Sequence, residues 1–271
     1  MLASMNNIRP TTEFFIKSAV EIVQRAREVG AEARIIGGLA ILIHSMDYMD
    51  LFRRLRRLNC EEDKQITDID LITYKAHVKR LDSVLTRLGY TADPRIALYY
   101  GDARRIYYPS DKSYQIDVFI DQLSYNHTIN FGKPNSGRLE LDFPTIPLSD
   151  LLLEKLQIHK IAEKDIKDVI LLLRAHQLSD EYEKDTVDLK RLQKVLGDDW
   201  EFWYDAKLNL EKVSIFIKNY ETNGVLSDIE ALDVTRKIER LLQFLDEMPK
   251  TKKWLNRAKI GEKRKWWNEI E

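Results

Sequence analysis

Two aspartates lie two residues apart in a short apolar segment, TDIDL at residues 67–71. Residues i and i+2 of a β-strand point to the same side, so a strand here places the carboxylates of Asp68 and Asp70 on one face. The flanking Ile69 and Leu71 then face a core. Because two neighbouring carboxylates repel each other and are costly to bury, the pattern predicts a cation such as Mg²⁺ beside them.

A third carboxylate, Asp117, lies in another apolar segment, YQIDVFI at residues 114–120. Three strand carboxylates suit the octahedral oxygen coordination of Mg²⁺ or Mn²⁺, with water and triphosphate oxygens in the remaining positions. Such an arrangement is typical of two-metal phosphoryl transfer. The alternatives are structural: Asp68 ends a turn, and Asp117 pairs with one of the arginines of the chain.

A pair of glycines, Gly37 and Gly38, follows a short apolar run at residues 33–36 and precedes a helical pattern at residues 39–43. A glycine turn between a strand and a helix N-terminus presents backbone N–H groups and a favourable dipole to a phosphate. The same pair also fits a tight turn without a ligand.

The pattern of elements predicts an α+β fold: a small mixed β-sheet flanked by helices, then a helical C-terminal region. Strands are expected at residues 33–36, 66–73, 96–100, 105–108, 114–120 and 139–141. Helices are expected at residues 12–29, 76–88, 149–161, 165–176, 187–195, 200–220 and 227–244. Strand signals nearly vanish after the prolines at positions 144 and 147, so we predict two domains, residues 1–145 and 146–271.

Composition and charge limit the class of protein and its cellular location. Of 271 residues, 44% are apolar and 32% charged, which is typical of a globular chain and excludes wholesale disorder. The 43 basic residues nearly balance the 44 acidic ones, so net charge gives no reason to expect non-specific nucleic-acid binding. No apolar run approaches the roughly 18 residues of a membrane span, and residues 1–10 lack the core of a secretory signal. We therefore expect a cytoplasmic protein without a membrane partner.

Three segments together resemble the signature of the DNA-polymerase-beta-like nucleotidyltransferase superfamily: IIGGLA at residues 35–40, TDIDL at 67–71 and QIDV at 115–118. Their order along the chain also agrees. The resemblance implies a mixed sheet flanked by helices, and it implies that Asp68, Asp70 and Asp117 are catalytic metal ligands. The nucleotide-binding residues that it implies in this core are Gly37, Gly38 and Thr67.

Two further segments, LLLEKL at residues 151–156 and KDIKDV at 164–169, look like the lysine and acidic motifs of AbiEii-type nucleotidyltransferases, which include bacterial toxin-like enzymes. By this resemblance Lys155 contacts the triphosphate, and Asp165 or Asp168 positions the nucleotide or the acceptor. The alternative is that Lys155 reaches solvent or pairs with Asp165 or Asp168. The gap between Gly38 and Asp68 is longer than the superfamily usually shows, which makes residues 52–65 look like an insertion.

The expected function is the transfer of a nucleoside monophosphate from a triphosphate to a hydroxyl, with release of pyrophosphate. The acceptor is a tRNA, a protein or a small molecule. The alternative is a catalytically inactive binding or regulatory module of a toxin–antitoxin system, with an antitoxin as its partner.

Two basic segments fall outside these motifs. The arginines of residues 53–57 either line an acceptor site or form a solvated helix face. The lysines, arginines and tryptophans of residues 250–267 either bind RNA or surround and pack a last helix.

Overall fold

The computed structural model of the chain describes residues 10–100 and 103–269. The segment considered for a secretory signal lies outside these residues, except for Pro10. The described chain forms two compact units. Among the described residues, the first contains 10–39, 58–100, 103–122 and 131–146, and the second contains 40–57, 123–130 and 147–269. The division into domains at residue 145 stays a prediction.

A five-stranded mixed sheet forms the centre of the first unit, in the order β1-β2-β5-β4-β3. Its strands are β1 (Ala33–Ile35), β2 (Ile69–Thr73), β3 (Thr91–Ala92), β4 (Arg104–Tyr108) and β5 (Ile116–Ile120). The central pair, β2 and β5, is parallel, and the outer pairings are antiparallel. All residues of β5 are buried, as expected for a central strand covered on both faces.

Helices α1 (Thr12–Glu28), α4 (Val78–Arg87) and α5 (Pro94–Tyr100) belong to the first unit. The hydroxyl of Thr11 accepts a hydrogen bond from the backbone N–H of Phe14, which caps α1 at its N-terminus. Phe15, Ala19 and Ile22 recur at helical spacing in α1 and are almost fully buried. This helix therefore covers the sheet with one apolar face.

The second unit is mainly helical. Its helices beyond residue 45 are α3 (Met49–Leu55), α6 (Leu148–Leu156), α7 (Glu163–Ala175), α8 (Leu189–Leu196), α9 (Trp200–Thr222), α10 (Asp228–Glu247) and α11 (Lys252–Ala258). Every residue of α6 is buried, which makes it the central helix of this unit. A capping box at Ser227 and Glu230 begins α10. Within the described residues, none of the helices is long and apolar enough to span a membrane.

Two short pairs of strands complete the fold. β6 (Gln122–Ser124) pairs with β7 (Thr128–Asn130), and β8 (Gln177–Ser179) pairs in parallel with β9 (Thr186–Asp188). The turn after β1 leads into α2 (Gly37–His44), and Gly37 has a φ of 75°. Only glycine adopts that left-handed conformation without steric strain, so this position depends on glycine.

The predicted fold class is confirmed: a small mixed sheet flanked by helices precedes a helical C-terminal region. The predicted strand at residues 96–100 is wrong, because this apolar run continues α5 from Pro94, a residue suited to the first turn of a helix. The strand expected at residues 139–141 is also absent, since Leu141 donates its N–H to Arg138 in a local turn. The strands β3, β6, β7, β8 and β9 were not predicted.

Replacing Gly37 by alanine should lower the free energy of unfolding by about 1–2 kcal/mol, because an L-residue is strained at positive φ. Gly224→Ala is the reference variant. Gly224 has a φ of 71° and open space where the Cβ would lie, so its loss of stability measures the backbone strain alone. Urea denaturation measures both. A loss at Gly37 much smaller than the loss at Gly224 would contradict this account of the turn.

Candidate active site

The carboxylates predicted from the sequence meet at one end of the central strand pair. Asp70 of β2 and Asp117 of β5 are direct partners in the parallel register. Asp68 lies just before β2, and the N–H of Ile69 donates to the carbonyl of Gln115 at 3.1 Å, which extends the pairing by one step. Ile69 is fully buried, whereas Asp68 and Asp70 on either side of it are half-buried. The strand register thus places the three aspartates at the same end of the β2–β5 pair.

The glycine turn lies beside this end of β2. Ile35 of β1 pairs with Leu71, and the N–H of Ile36 donates to the carbonyl of Asp70 at 3.0 Å. Because β1 runs antiparallel to β2, the residues that follow Ile36 continue toward the start of β2. Gly37 and Gly38 therefore lie next to the carboxylates, and the turn and the acids occupy one edge of the sheet.

Asp117 is paired with an arginine. Arg104 Nε donates to Asp117 Oδ1 at 2.8 Å and to Oδ2 at 3.0 Å, and a second guanidinium nitrogen also contacts Oδ2. The Asp117 side chain is only 3% exposed, whereas that of Arg104 is 28% exposed. Arg104 lies opposite Phe119 in the β4–β5 register, on the same face as Asp117. The predicted alternative of an arginine partner thus applies to Asp117.

The electrostatics of Asp117 depend on these neighbours. Burial raises the pKa of the Asp117 carboxyl, the Arg104 guanidinium opposes the rise, and the charge of Asp68 adds to it. The net direction is upward. Thr67 Oγ1 donates to Asp68 Oδ1 at 3.1 Å, so Thr67 contacts the acid next to it. The site therefore concentrates negative charge, and Arg104 compensates part of it.

The donor chemistry of the three aspartates fits a hard divalent cation. Carboxylate oxygens are the ligands that Mg²⁺ and Mn²⁺ prefer in proteins. Asp68 and Asp70 are part-exposed and two residues apart, so they are the pair best able to hold such a cation. A metal at Asp117 would take over the compensating role that Arg104 has in this structure.

The second unit contains the other predicted site residues in one buried cluster. Lys155 Nζ lies 3.0 Å from Asp165 Oδ1 and 3.1 Å from Asp168 Oδ2. Arg57 Nε lies 2.9 Å from Asp168 Oδ1. The side chains of Lys155, Asp165 and Asp168 are at most 7% exposed. Two cations and two carboxylates thus form a nearly neutral network, as the pairing alternative for Lys155 anticipated.

Charge pairing fixes the protonation of this cluster. Burial alone would lower the pKa of Lys155, but the negative charges of Asp168 and Asp165 outweigh it and raise the pKa. Burial alone would raise the pKa of Asp168, but the positive charges of Arg57 and Lys155 outweigh it and lower the pKa. Lys155 and Asp168 are therefore both charged at neutral pH.

No protein-family model matches the sequence, and no curated protein matches it. The likeness to polymerase-beta-like nucleotidyltransferases thus rests on the three core motifs, and it stays a prediction. The part of that likeness that concerns AbiEii-type enzymes rests in the same way on the segments around Lys155 and Asp168.

Two arginines of this geometry were not predicted from the sequence. Arg104 carried no signal, because nothing in a strand pattern shows that its partner is Asp117. Arg57 belongs to the basic segment at residues 53–57, which was interpreted as an acceptor surface or a solvated face. Instead its side chain is 10% exposed and bound to Asp168, while Arg54 binds Glu230.

Tryptophans of the basic segment at residues 250–267 pack on a buried acid, Asp205, which no sequence pattern singled out. Asp205 is fully buried and receives three hydrogen bonds, from His127 Nε2 at 2.7 Å, His159 Nδ1 at 2.9 Å and Trp266 Nε1 at 2.9 Å. The Trp267 ring stacks on His159 with centroids 3.7 Å apart. Burial alone would raise the pKa of Asp205, but the three hydrogen bonds outweigh it and lower the pKa.

Replacing Trp266 by phenylalanine should lower the free energy of unfolding by about 1–2 kcal/mol beyond the loss for Trp203→Phe. Trp203 is the matched control, because its indole N–H donates to a neutral acceptor, the carbonyl of Leu245. Since the pKa of Asp205 is lowered by folding, its contribution is present above the unfolded pKa and is lost as pH falls through the folded pKa.

The extra loss should therefore be full at neutral pH and shrink in acid. Urea denaturation of both variants between about pH 7 and pH 3 measures it. Equal losses for the two variants at neutral pH would contradict the role given to Asp205.

Proposed function

We propose that this protein is a metal-dependent nucleotidyltransferase. It moves a nucleoside monophosphate from a nucleoside triphosphate to a hydroxyl acceptor and releases pyrophosphate. One observation carries the proposal: Asp68, Asp70 and Asp117 meet at one end of the parallel pair β2 and β5, beside the turn of Gly37 and Gly38. This combines a carboxylate set for hard cations with a backbone turn suited to phosphate.

The residues of the first unit divide the work of the reaction. Asp68 and Asp70 hold Mg²⁺ or Mn²⁺, which when bound neutralises charge on the triphosphate and favours deprotonation of the attacking hydroxyl. The backbone N–H groups at Gly37 and Gly38 bind phosphate oxygens at the positive end of α2. Thr67 orients Asp68 through its hydroxyl.

Asp117 serves the acceptor. Its raised pKa makes the carboxylate a better proton acceptor than an exposed aspartate. The acceptor oxygen attacks the α-phosphorus, the bond from that phosphorus to the bridging oxygen of pyrophosphate breaks, and Asp117 holds the hydroxyl proton. The Arg104 guanidinium favours the ionised form of Asp117 and so opposes the rise of its pKa.

The roles proposed for Lys155, Asp165 and Asp168 rest on the resemblance to AbiEii-type nucleotidyltransferases alone. By that likeness Lys155 binds the triphosphate, Asp165 contributes to the nucleotide site, and Asp168 positions the nucleotide or the acceptor. Their close pairing supports a fixed position for the ammonium group. In this proposal the acceptor is a tRNA, a protein or a small molecule, and the protein acts in the cytoplasm.

Calorimetric titration of ATP, GTP, CTP and UTP in the presence of Mg²⁺ tests the proposal. The wild type should bind at least one triphosphate only when Mg²⁺ is present. Asp68→Asn/Asp70→Asn should weaken that binding by about tenfold or more, because the variant removes two ligand charges and keeps the side-chain shape. The matched control is Asp47→Asn/Asp50→Asn, which removes two exposed carboxylates and should bind like the wild type.

Transfer is then measured with the preferred triphosphate labelled at the α-phosphate and offered with total tRNA or with protein acceptors. Label that moves to an acceptor in wild type, and not in the Asp68→Asn/Asp70→Asn variant, supports the enzyme. Failure of the folded wild type to bind any of the four triphosphates rules the enzyme out.

One observation favours a second function, an inactive nucleotidyltransferase-fold module that binds a toxin or antitoxin partner. Both carboxylate oxygens of Asp117 already contact Arg104, an internal cation at the place where a metal is expected. For such a module, triphosphate binding would be absent or unchanged by Mg²⁺, and Arg104→Gln would destabilise the protein without creating metal binding.

A further inference from the structure

A pocket of about 540 Å³ lies in the first unit, where β3 and β4 meet. The turn from β3 into α5 forms one wall, and the turn that follows β4 forms the other. The charged residues among those that line it in the described chain are Asp93 and Arg95 on the first wall and Lys112 on the second. A pocket of this size holds a small ligand or one end of a larger one.

The charged residues give the pocket a net positive charge. Arg95 Nε lies 3.0 Å from Asp93 Oδ1, and Arg95 Nη2 lies 2.7 Å from Oδ2. Hydrogen bonds from Arg95 lower the pKa of the Asp93 carboxyl to about 2, and the charge of Lys112 adds to this effect. Asp93 is therefore ionised at neutral pH and balances only one of the two cations.

The ion pair also orients the arginine. The Asp93 side chain is 8% exposed, whereas that of Arg95 is 79% exposed. The acid thus holds one edge of the guanidinium and leaves the rest of it toward solvent. An arginine held in this way suits the oxygens of an anion such as phosphate, because its planar group donates several hydrogen bonds at once.

Two residues of the pocket wall lie on the face of the sheet that carries the acids. Asp117 of β5 pairs with Ile106 of β4, and Tyr108 is two residues further along β4. Thr91 of β3 pairs with Tyr108. Paired residues share a face, and so do residues i and i+2 of one strand. Tyr108 and Thr91 therefore lie on the same face as Asp117 and its partner Asp70.

Helix α5 lies over this face of the acids, whereas α4 lies over the opposite one. In β4, Tyr107 points to the opposite face, where its hydroxyl donates to Asp82 of α4. The guanidinium carbon of Arg104 lies 5.6 Å from the ring centre of Tyr100, the last residue of α5. Since Arg104 also binds Asp117, α5 extends from the pocket wall, where it begins, to the neighbourhood of Asp117.

The pocket lies on the acceptor side of the proposed reaction. Across this edge of the sheet the order is the glycine turn beside β1, Asp68 and Asp70 at β2, Asp117 on β5, and the pocket at β4 and β3. In phosphoryl transfer the attacking and leaving oxygens lie roughly in line, on opposite sides of the phosphorus. Pyrophosphate bound at the glycine turn leaves toward β1, so the attacking hydroxyl approaches from the side of β5 and β4. Neighbouring strands are about 4.8 Å apart, which puts the pocket wall on β4 roughly 10 Å from β2.

We propose that this pocket binds a phosphate group carried by the acceptor, so that the acceptor is a phosphorylated molecule whose hydroxyl reaches the aspartates. The inference rests on the proposed nucleotidyl transfer and names the chemistry of its second substrate. A phosphodiester of an RNA strand and a phosphate ester of a small molecule offer the same oxygens to Arg95 and Lys112. A hydroxyl of an unmodified protein offers none.

Amide spectra of the isotope-labelled full chain test the pocket with two probes, inorganic phosphate and a single-stranded oligouridine RNA. At least inorganic phosphate should shift the backbone amide signals of residues 110–113, the turn beside the pocket. Arg95→Gln/Lys112→Gln should weaken phosphate binding by about tenfold or more, because it removes both cations. RNA that binds at these amides more tightly than phosphate supports a nucleic-acid acceptor, and RNA that does not supports a small phosphorylated one. No shift of these signals with either probe, or wild-type affinity in the folded variant, overturns the proposal.

The matched control is Lys79→Gln/Arg87→Gln, which removes two exposed cations of α4 and should bind phosphate like the wild type. Circular dichroism verifies that each variant is folded. Neither metal nor triphosphate enters the amide measurement, so a failure of the proposed function shows separately, as absent triphosphate binding by the wild type. Arg95→Gln/Lys112→Gln should keep the wild-type affinity for triphosphate with Mg²⁺. A tenfold loss of that affinity would assign the pocket to the nucleotide and overturn its acceptor role.

Discussion

The parallel pairing of β2 with β5 is the constraint on which the rest of the first unit depends. This register sets Asp70 directly opposite Asp117, and Asp68 lies one residue before the strand. The antiparallel pairing of β1 with β2 then brings the glycine turn to the same edge. The common position of the three acids and the glycine turn thus follows from hydrogen bonding within one sheet. The turn has a φ that only glycine adopts freely. The side chains alone would not hold such an arrangement, because like charges repel.

Charge compensation is the common feature of the buried acids in both units. Arg104 binds Asp117 in the first unit, and Arg57 and Lys155 bind Asp168 in the second. Removing one member of a buried pair leaves an uncompensated charge and typically costs about 3–5 kcal/mol. The charges of the Lys155 cluster balance, because two cations contact two carboxylates. At the β2–β5 edge Arg104 binds Asp117, and the carboxylate oxygens of the three aspartates there are the ligands that a hard divalent cation prefers.

Local sequence patterns predicted the parts of the structure that local physics determines. The first helix, the two strands that bear acids and most of the other helices follow from periodicity, capping and turn residues. The run at residues 96–100 was misassigned because short apolar runs fit a strand or a helix equally. Pro94 favours the helix, since proline suits the first helical turn. The arginine partners of Asp117 and Asp168 could not be identified from the sequence, since Arg57 is 111 residues from Asp168 and pairing at that distance depends on the tertiary fold. The same holds for the three donors to Asp205.

The central claim is that the acidic edge of the sheet holds a divalent cation through Asp68 and Asp70. Anomalous diffraction from crystals soaked with Mn²⁺ and a nonhydrolysable triphosphate tests it most directly. The account predicts an anomalous peak at coordination distance, about 2 Å, from carboxylate oxygens of both residues, with Arg104 displaced from Asp117 if a second ion binds there. A well-ordered site with no peak near either carboxylate, and with Arg104 still bound to Asp117, would contradict it.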